Sequence, residues 1–264
     1  MRSRRKPIRF AGALLATNLK ASLMLRGAFA MQVVFMALNN FTFFVFWWVL
    51  MRRVPEIRGW RLADIELLFG IVAVAVGLTV TVAGGVRYLG QLIEQGELDT
   101  LLVQPPPVLL HAVGMRSQSS GFGDMISGLT LIALSGQVSW IDTPRVLAAI
   151  AAAALVFAAS GILFFSMAFW LGKSDTVARQ MWELVITFSL YPEPLFGGVL
   201  RLVLFTLIPA AWVGYVPAHI ARHASPGRLL LLASAAAVYL VLAAVMFQRG
   251  LRRYASGSRF AVFG

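Results

Sequence analysis

The sequence predicts an all-α membrane protein. It has six transmembrane helices, an N-terminal helix lying at the membrane interface, and a re-entrant helical pair between spans five and six. Three observations carry that prediction. Of the 264 residues, 59% are hydrophobic and 13% charged, where soluble domains run about 45–50% and 25%. The apolar residues gather into runs near the roughly 20 residues that a helix needs to cross a bilayer core. Basic residues crowd both ends of the chain, and in membrane proteins Lys and Arg collect on the cytoplasmic side. The formal net charge of +12 is therefore read as topology, with no nucleic acid as partner. There is no cysteine, which excludes a disulfide framework, thiolate chemistry and Cys-ligated metal or iron–sulfur sites.

Residues 1–28 carry Arg2, Arg4, Arg5, Lys6, Arg9, Lys20 and Arg26. Lys20 and Arg26 interrupt the apolar stretch, and Phe10–Thr17 is too short for a signal peptide and lacks a convincing cleavage site. The segment reads as a cytoplasmic interfacial helix. Phe29–Leu50 is the first span, with Trp47 and Trp48 at its far interface. Asn39 and Asn40 lie in mid-span, where amides need partners, so they face another helix or a pathway. After the mixed-charge loop Met51–Glu66 comes the second span, Leu67–Val86. Its Gly70, Ala73, Gly77 and Gly84 recur at heptad-like spacing. They form a small-residue stripe for close helix contact, within the protomer or across a dimer.

A structured loop occupies residues 89–110. Ser119–Gln137 is a weaker third span with Asp124 near its inner end, and Trp140–Pro144 is an outer turn. Val146–Leu171 is the fourth span, Gly172–Gln180 an inner loop, and Val177–Tyr191 a short fifth span containing Glu183. The next stretch, 195–217, is apolar enough to cross, but Pro192, Pro194, Pro209 and Pro217 bracket or interrupt it. A full span there would put the C-terminus outside, against Arg249, Arg252, Arg253 and Arg259 after the last span, Leu229–Phe247. The stretch therefore reads as two half-helices dipping from the outer face, where protein or a water-filled cavity covers their broken backbone. Residues 248–264 are a cytoplasmic tail, and both termini are cytoplasmic.

The loop between spans two and three is stiffer than a connector. It reads as a short helix (Leu89–Gln95), a break at Gly96, a second short helix capped by Glu97 and Asp99, and a stop at Pro105-Pro106-Pro107. Three of the eleven acids, Glu94, Glu97 and Asp99, lie in it. Such an acidic, partly apolar knuckle either docks a partner or packs on its own bundle.

Residues that could carry chemistry are few. Gly172-Lys173-Ser174 suggests a phosphate loop, but Met167 stands where that motif needs glycine and no strand precedes it. His219 and His223 are four apart, yet Ile220 occupies the place of the Glu in a His-Glu-x-x-His pair and no third ligand is evident. Glu183, inside a span, is either a functional carboxylate or the partner of Arg179 four residues earlier. The chain shows no catalytic constellation, so no enzyme activity is expected of it.

The pattern I-x-x-G-x-L-D-x-L-L in Ile93–Leu102, followed by Pro105, resembles the signature loop of one branch of the ABC-2 type permeases, the membrane subunits of bacterial ABC exporters. Other stretches agree in order. Ser166–Trp170 resembles that branch's Ser-Phe-Trp element, with Met167 and Ala168 intervening. Tyr191-Pro192, Phe196, Leu200-Arg201 and Ile208-Pro209 resemble its re-entrant region, and Tyr215–Ala218 its Tyr-x-Pro-Ala. Gly250–Tyr254 with Ser256-Gly257-Ser258 resembles its C-terminal tail, although Ala255 replaces a Glu and the tail is one residue shorter.

The resemblance implies a coupling helix between spans two and three that fits a groove on a separate ATPase subunit. Glu94, Gly96, Glu97, Leu98, Asp99, Leu101, Leu102 and Pro105 would form it. It implies a dimer of ATPase subunits, a second permease subunit of the same or a related kind, surrounding membrane lipid, and a bacterial inner-membrane location. No cofactor binds this chain; ATP and Mg belong to the ATPase. Asn39, Asn40, Gly77, Glu183, Tyr191 and Pro192 are the expected pathway or dimer-interface positions. The alternatives are a self-sufficient secondary transporter or channel using Glu183, and a membrane enzyme using His219 and His223.

Overall fold

A computed structural model describes residues 5–254; Arg2, Arg4, Arg259 and the Ser256-Gly257-Ser258 element lie outside them. In chain order the helices are α1 (Arg5–Met24), α2 (Arg26–Arg53), α3 (Leu62–Val82), α4 (Leu89–Glu94), α5 (Asp99–Leu102), α6 (Val108–Gly114), α7 (Ser120–Ser135), α8 (Thr143–Phe165), α9 (Ala168–Leu171), α10 (Asp175–Ser189), α11 (Gly198–Phe205), α12 (Val216–Arg222) and α13 (Pro226–Arg253). Among the described residues there is no strand, only an isolated bridge between Ile57 and Trp60. Four stretches are long and apolar enough to cross a membrane: α2, α3, α8 continued through α9, and α13. Helices α7 and α10, of 16 and 15 residues, cover roughly 23 Å at 1.5 Å per residue, short of a ~30 Å hydrocarbon core.

The centre of the bundle is the pair α3 and α7. The small residues of α3 meet small residues of α7 in antiparallel order, Gly70 against Gly128 and Gly77 against Gly121. A methyl group added at Gly77 would lie 2.6 Å from the Gly121 carbonyl oxygen, and one at Gly121 would lie 2.5 Å from the Gly77 carbonyl oxygen. Backbones come this close only where side chains are absent, and in lipid such packing stands in for the hydrophobic effect. The stripe thus packs within the protomer. On a different face of α7, Gly123 lies against the backbone of α2 at Val33 and Ala37. Helix α8 packs on α3 with its Ala-rich face and also meets α10, α12 and α13.

The second membrane helix starts and stops earlier than its apolar run. Asp64 accepts the Arg61 N–H at 2.8 Å and so begins α3 in front of Leu67. The helix ends at Val82 because Gly84 and Gly85 are pressed against the backbone of residues 112–116, and the chain tightens into a 3-10 turn, Gly84–Tyr88. The fourth apolar run is likewise interrupted, by a turn at Ser166-Met167. Arg249, Arg252 and Arg253 continue α13 as helix.

The stretch after α10 is two short helical pieces. Helix α11 is 8 residues long. A break at 206–210 follows, and a π-helical turn (Ala211–Tyr215) leads into α12. A broken helix leaves carbonyls without partners, and here side chains supply them. Trp212 Nε1 donates to the Phe205 carbonyl at 2.8 Å, and the Tyr239 hydroxyl donates to that of Thr206 at 2.5 Å. Ser189 and Tyr215 tie the same region to α10: Ser189 Oγ donates to the Ala210 carbonyl at 3.0 Å and the Tyr215 hydroxyl to the Phe188 carbonyl at 2.6 Å.

Candidate functional site

The knuckle is built from α4, α5 and the prolines before α6. Gly96, with φ of 74°, turns the chain between α4 and α5, a conformation that costs glycine little. The residue preceding α5 is Leu98, with no side-chain cap. Leu98 and Leu101 point inward and are buried in the chain's own core, with Leu92 and Ile93. What the knuckle exposes is Gln95, Thr100, Leu102, Val103, Gln104, Pro105 and Pro107. Val103, at 85% exposure, is the most uncovered apolar residue there.

Three contacts fasten the knuckle to the bundle. Glu94 Oε1 accepts the backbone N–H groups of Ser174 and Asp175, each at 2.8 Å. A carboxylate there satisfies two unpaired donors and faces the positive end of the α10 dipole. Glu94 is thus the N-terminal cap of α10, supplied from 80 residues away in sequence. Gly90 lies beside Asp175 and leaves room for this approach. One step further along α10, Arg87 forms an ion pair with Glu183 at 2.5 Å. Arg179, the neighbour expected to partner Glu183, bonds instead to Asp175 at 2.8 Å. At the end of α13, Asp99 lies beside Tyr254, whose phenol is pushed up to about 12, first by burial and then by the Asp99 charge.

A cavity of about 640 Å³ lies between α2, α3, α7 and α10. Asn39, Asn40, Glu183 and Tyr191 line it. Asn40 Nδ2 donates to Asp124 Oδ1 at 2.8 Å and to Ser127 Oγ at 2.9 Å, joining α2 to α7. Tyr191 packs edge-on against Trp47 with ring centroids 5.7 Å apart. Pro192 is buried at the end of α10. Gly77, expected at a pathway or dimer interface, is buried against α7 of its own chain instead.

Two other sequence patterns do not assemble into sites. The backbone N–H groups of Ser174 and Asp175, which a phosphate would need, already hold Glu94. His219 and His223 part company. His219 Nε2 lies 3.4 Å from Glu193 Oε2, and His223 is exposed at the end of α12. Arg201 pairs with Glu193 at 2.7 Å. The His219 hydrogen bond first, then the Arg201 charge, hold the Glu193 carboxyl below its ordinary range against the opposing effect of burial. Among the described residues no group of His, Cys, Asp and Glu could hold a metal ion.

Sequence reasoning missed Arg87 and the pairing of Asp124. A signal for the first was present: Arg87 closes the second apolar run, and Glu183 stands inside the fifth, opposite charges at matching ends of two spans. A family model described as ABC-2 family transporter protein matches residues 37–258. No curated protein and no solved structure matches the chain.

Proposed function

The chain belongs to the ABC-2 family of transporter proteins, and from that premise we propose that it is the pathway-forming subunit of an ATP-driven exporter, coupled to its ATPase through the knuckle. Membership makes it a multi-pass permease component of an ABC transporter that works with an ATPase partner. Six helices (α2, α3, α7, α8–α9, α10 and α13) cross the bacterial inner membrane, α1 lies along the cytoplasmic interface, and α11 and α12 form a re-entrant pair entering from the outside. Both termini are cytoplasmic. Two permease subunits, alike or related, face each other above an ATPase dimer that holds ATP and Mg.

The observation that carries the coupling role is the division of the knuckle into two sides. Leu98 and Leu101 anchor it inward, while Leu102 and Val103 stand exposed beside Pro105. An apolar edge in water suits a groove on a partner. Glu94, Gly96, Glu97 and Asp99 then shape and fasten the element, and the groove is met by Leu102, Val103 and Pro105. Force on that edge reaches α10 through the Glu94 cap and the Arg87–Glu183 pair, both on α10, which lines the cavity.

The test is affinity purification from native membranes in mild detergent with identification of bound subunits. Wild type should bring down an ATPase subunit, and Leu102→Asp with Val103→Asp should lose it while inserting normally. Retention of the ATPase at wild-type yield by that double variant would sink the docking assignment.

A further inference from the structure

The cavity between α2, α3, α7 and α10 holds a charge that nothing in the coupling scheme uses. Aromatic residues line much of it: Phe43, Phe46 and Trp47 from α2, Phe157 from α8 and Trp182 from α10. Arg87 and Glu183, also in its lining, neutralise each other. Asp124 has no such counter-charge. It is 5% exposed, lines the same cavity, and accepts a hydrogen bond from the neutral amide of Asn40. Among the described residues no Lys, Arg or His stands within ion-pair distance of it.

A carboxylate taken out of water without a cation is costly, and Asp124 when ionised leaves the cavity with one uncompensated negative group. An entering anion meets repulsion there, and a neutral molecule leaves the imbalance in place. A cation removes it. The surrounding rings also demand an apolar body. We propose that this cavity binds a hydrophobic organic cation, with its positive centre at Asp124 and its apolar body against the α2, α8 and α10 rings. The proposal rests on the permease reading in taking this ligand as the transported molecule; the binding site itself does not depend on it.

Tetraphenylphosphonium and tetraphenylborate have nearly the same shape and opposite charge. Equilibrium dialysis of each against the purified full-length protein in detergent, with empty micelles as reference, compares them on wild type. Saturable phosphonium binding, at least about tenfold tighter than the borate, is expected (about 1.4 kcal/mol). Asp124→Asn should remove most of that preference, and Glu56→Gln, in the exposed loop after α2, should leave it intact. Equal or tighter binding of the borate would overturn the proposal without reference to any variant. So would an Asp124→Asn protein that elutes as a single species and keeps the full preference. Phosphonium binding by a chain that brings down no ATPase would uphold the site and remove the coupled-exporter reading. An ATPase complex blind to the sign of charge would do the opposite.

Discussion

Helices α3 and α2 are neighbours in sequence and both apolar, yet they live in different surroundings. In α3, 72% of the most hydrophobic window is buried within the protomer; in α2 the share is 11%. The first is built from glycine and β-branched residues that let another backbone touch it. The second is built from Phe, Trp, Met and Leu, with Phe35, Phe43 and Phe46 all about 60% exposed. High hydrophobicity alone does not separate the two, because lipid and protein interior are equally apolar. Side-chain size does. In this pair the small residues lie on the helix that packs inside, and the large ones on the helix left uncovered.

The contrast can be broken most severely at its centre. Gly77→Leu forces a large side chain against the Gly121 carbonyl and the Asp124 side chain. It should cost roughly 3 kcal/mol and leave aggregated protein on size-exclusion chromatography; a monodisperse, thermally normal variant would show that α3 and α7 are not in backbone contact. Glu94→Ala removes the cap of α10 and should cost about 1–2 kcal/mol. Transport should fall with it while the ATPase still co-purifies, because the side chain faces α10; loss of the ATPase would move Glu94 to the docking edge. Asn40→Ala deletes the bonds between α2 and α7 and should cost about 1 kcal/mol, read as a lower midpoint of thermal unfolding in detergent. Smallest of all, Phe35→Ala on the uncovered face of α2 should stay within about 0.5 kcal/mol in the isolated protomer. A larger loss would mean that α2 is covered after all.

Much of the local structure was legible in the sequence because its signals are local. Gly96 and the three prolines punctuate the knuckle as their backbone preferences require, and the prolines after α10 mark a stretch that does not form one continuous helix. Long-range pairing was not legible. The stripe of Gly70 and Gly77 announced close contact but not its partner, since Gly121 and Gly128 sit in a helix whose hydrophobic signal is weak. Glu94 looked like a surface acid of a docking loop. Nothing near it in sequence points to the unpaired N–H groups of Ser174 and Asp175 that it fills. Arg179 offered Glu183 a partner at helical spacing, but Asp175, also at that spacing, took it, and Arg87 arrived from another helix.

The antiparallel glycine contacts have a consequence for the length of the chain between them. Because each glycine of α3 faces one glycine of α7, the two helices cannot slide past each other by a residue without driving a side chain into backbone. The segment from Ala83 to Ser119 is therefore a strap buckled at both ends. Most surface loops absorb an extra residue with little penalty. This one has nowhere to pass the slack except outward, into the exposed edge at Leu102–Pro105, so a one-residue insertion or deletion between Val103 and Pro107 would tilt the knuckle while the helices stay still. How far that edge stands from the bundle is set by the number of residues in a loop rather than by the strength of any contact in it.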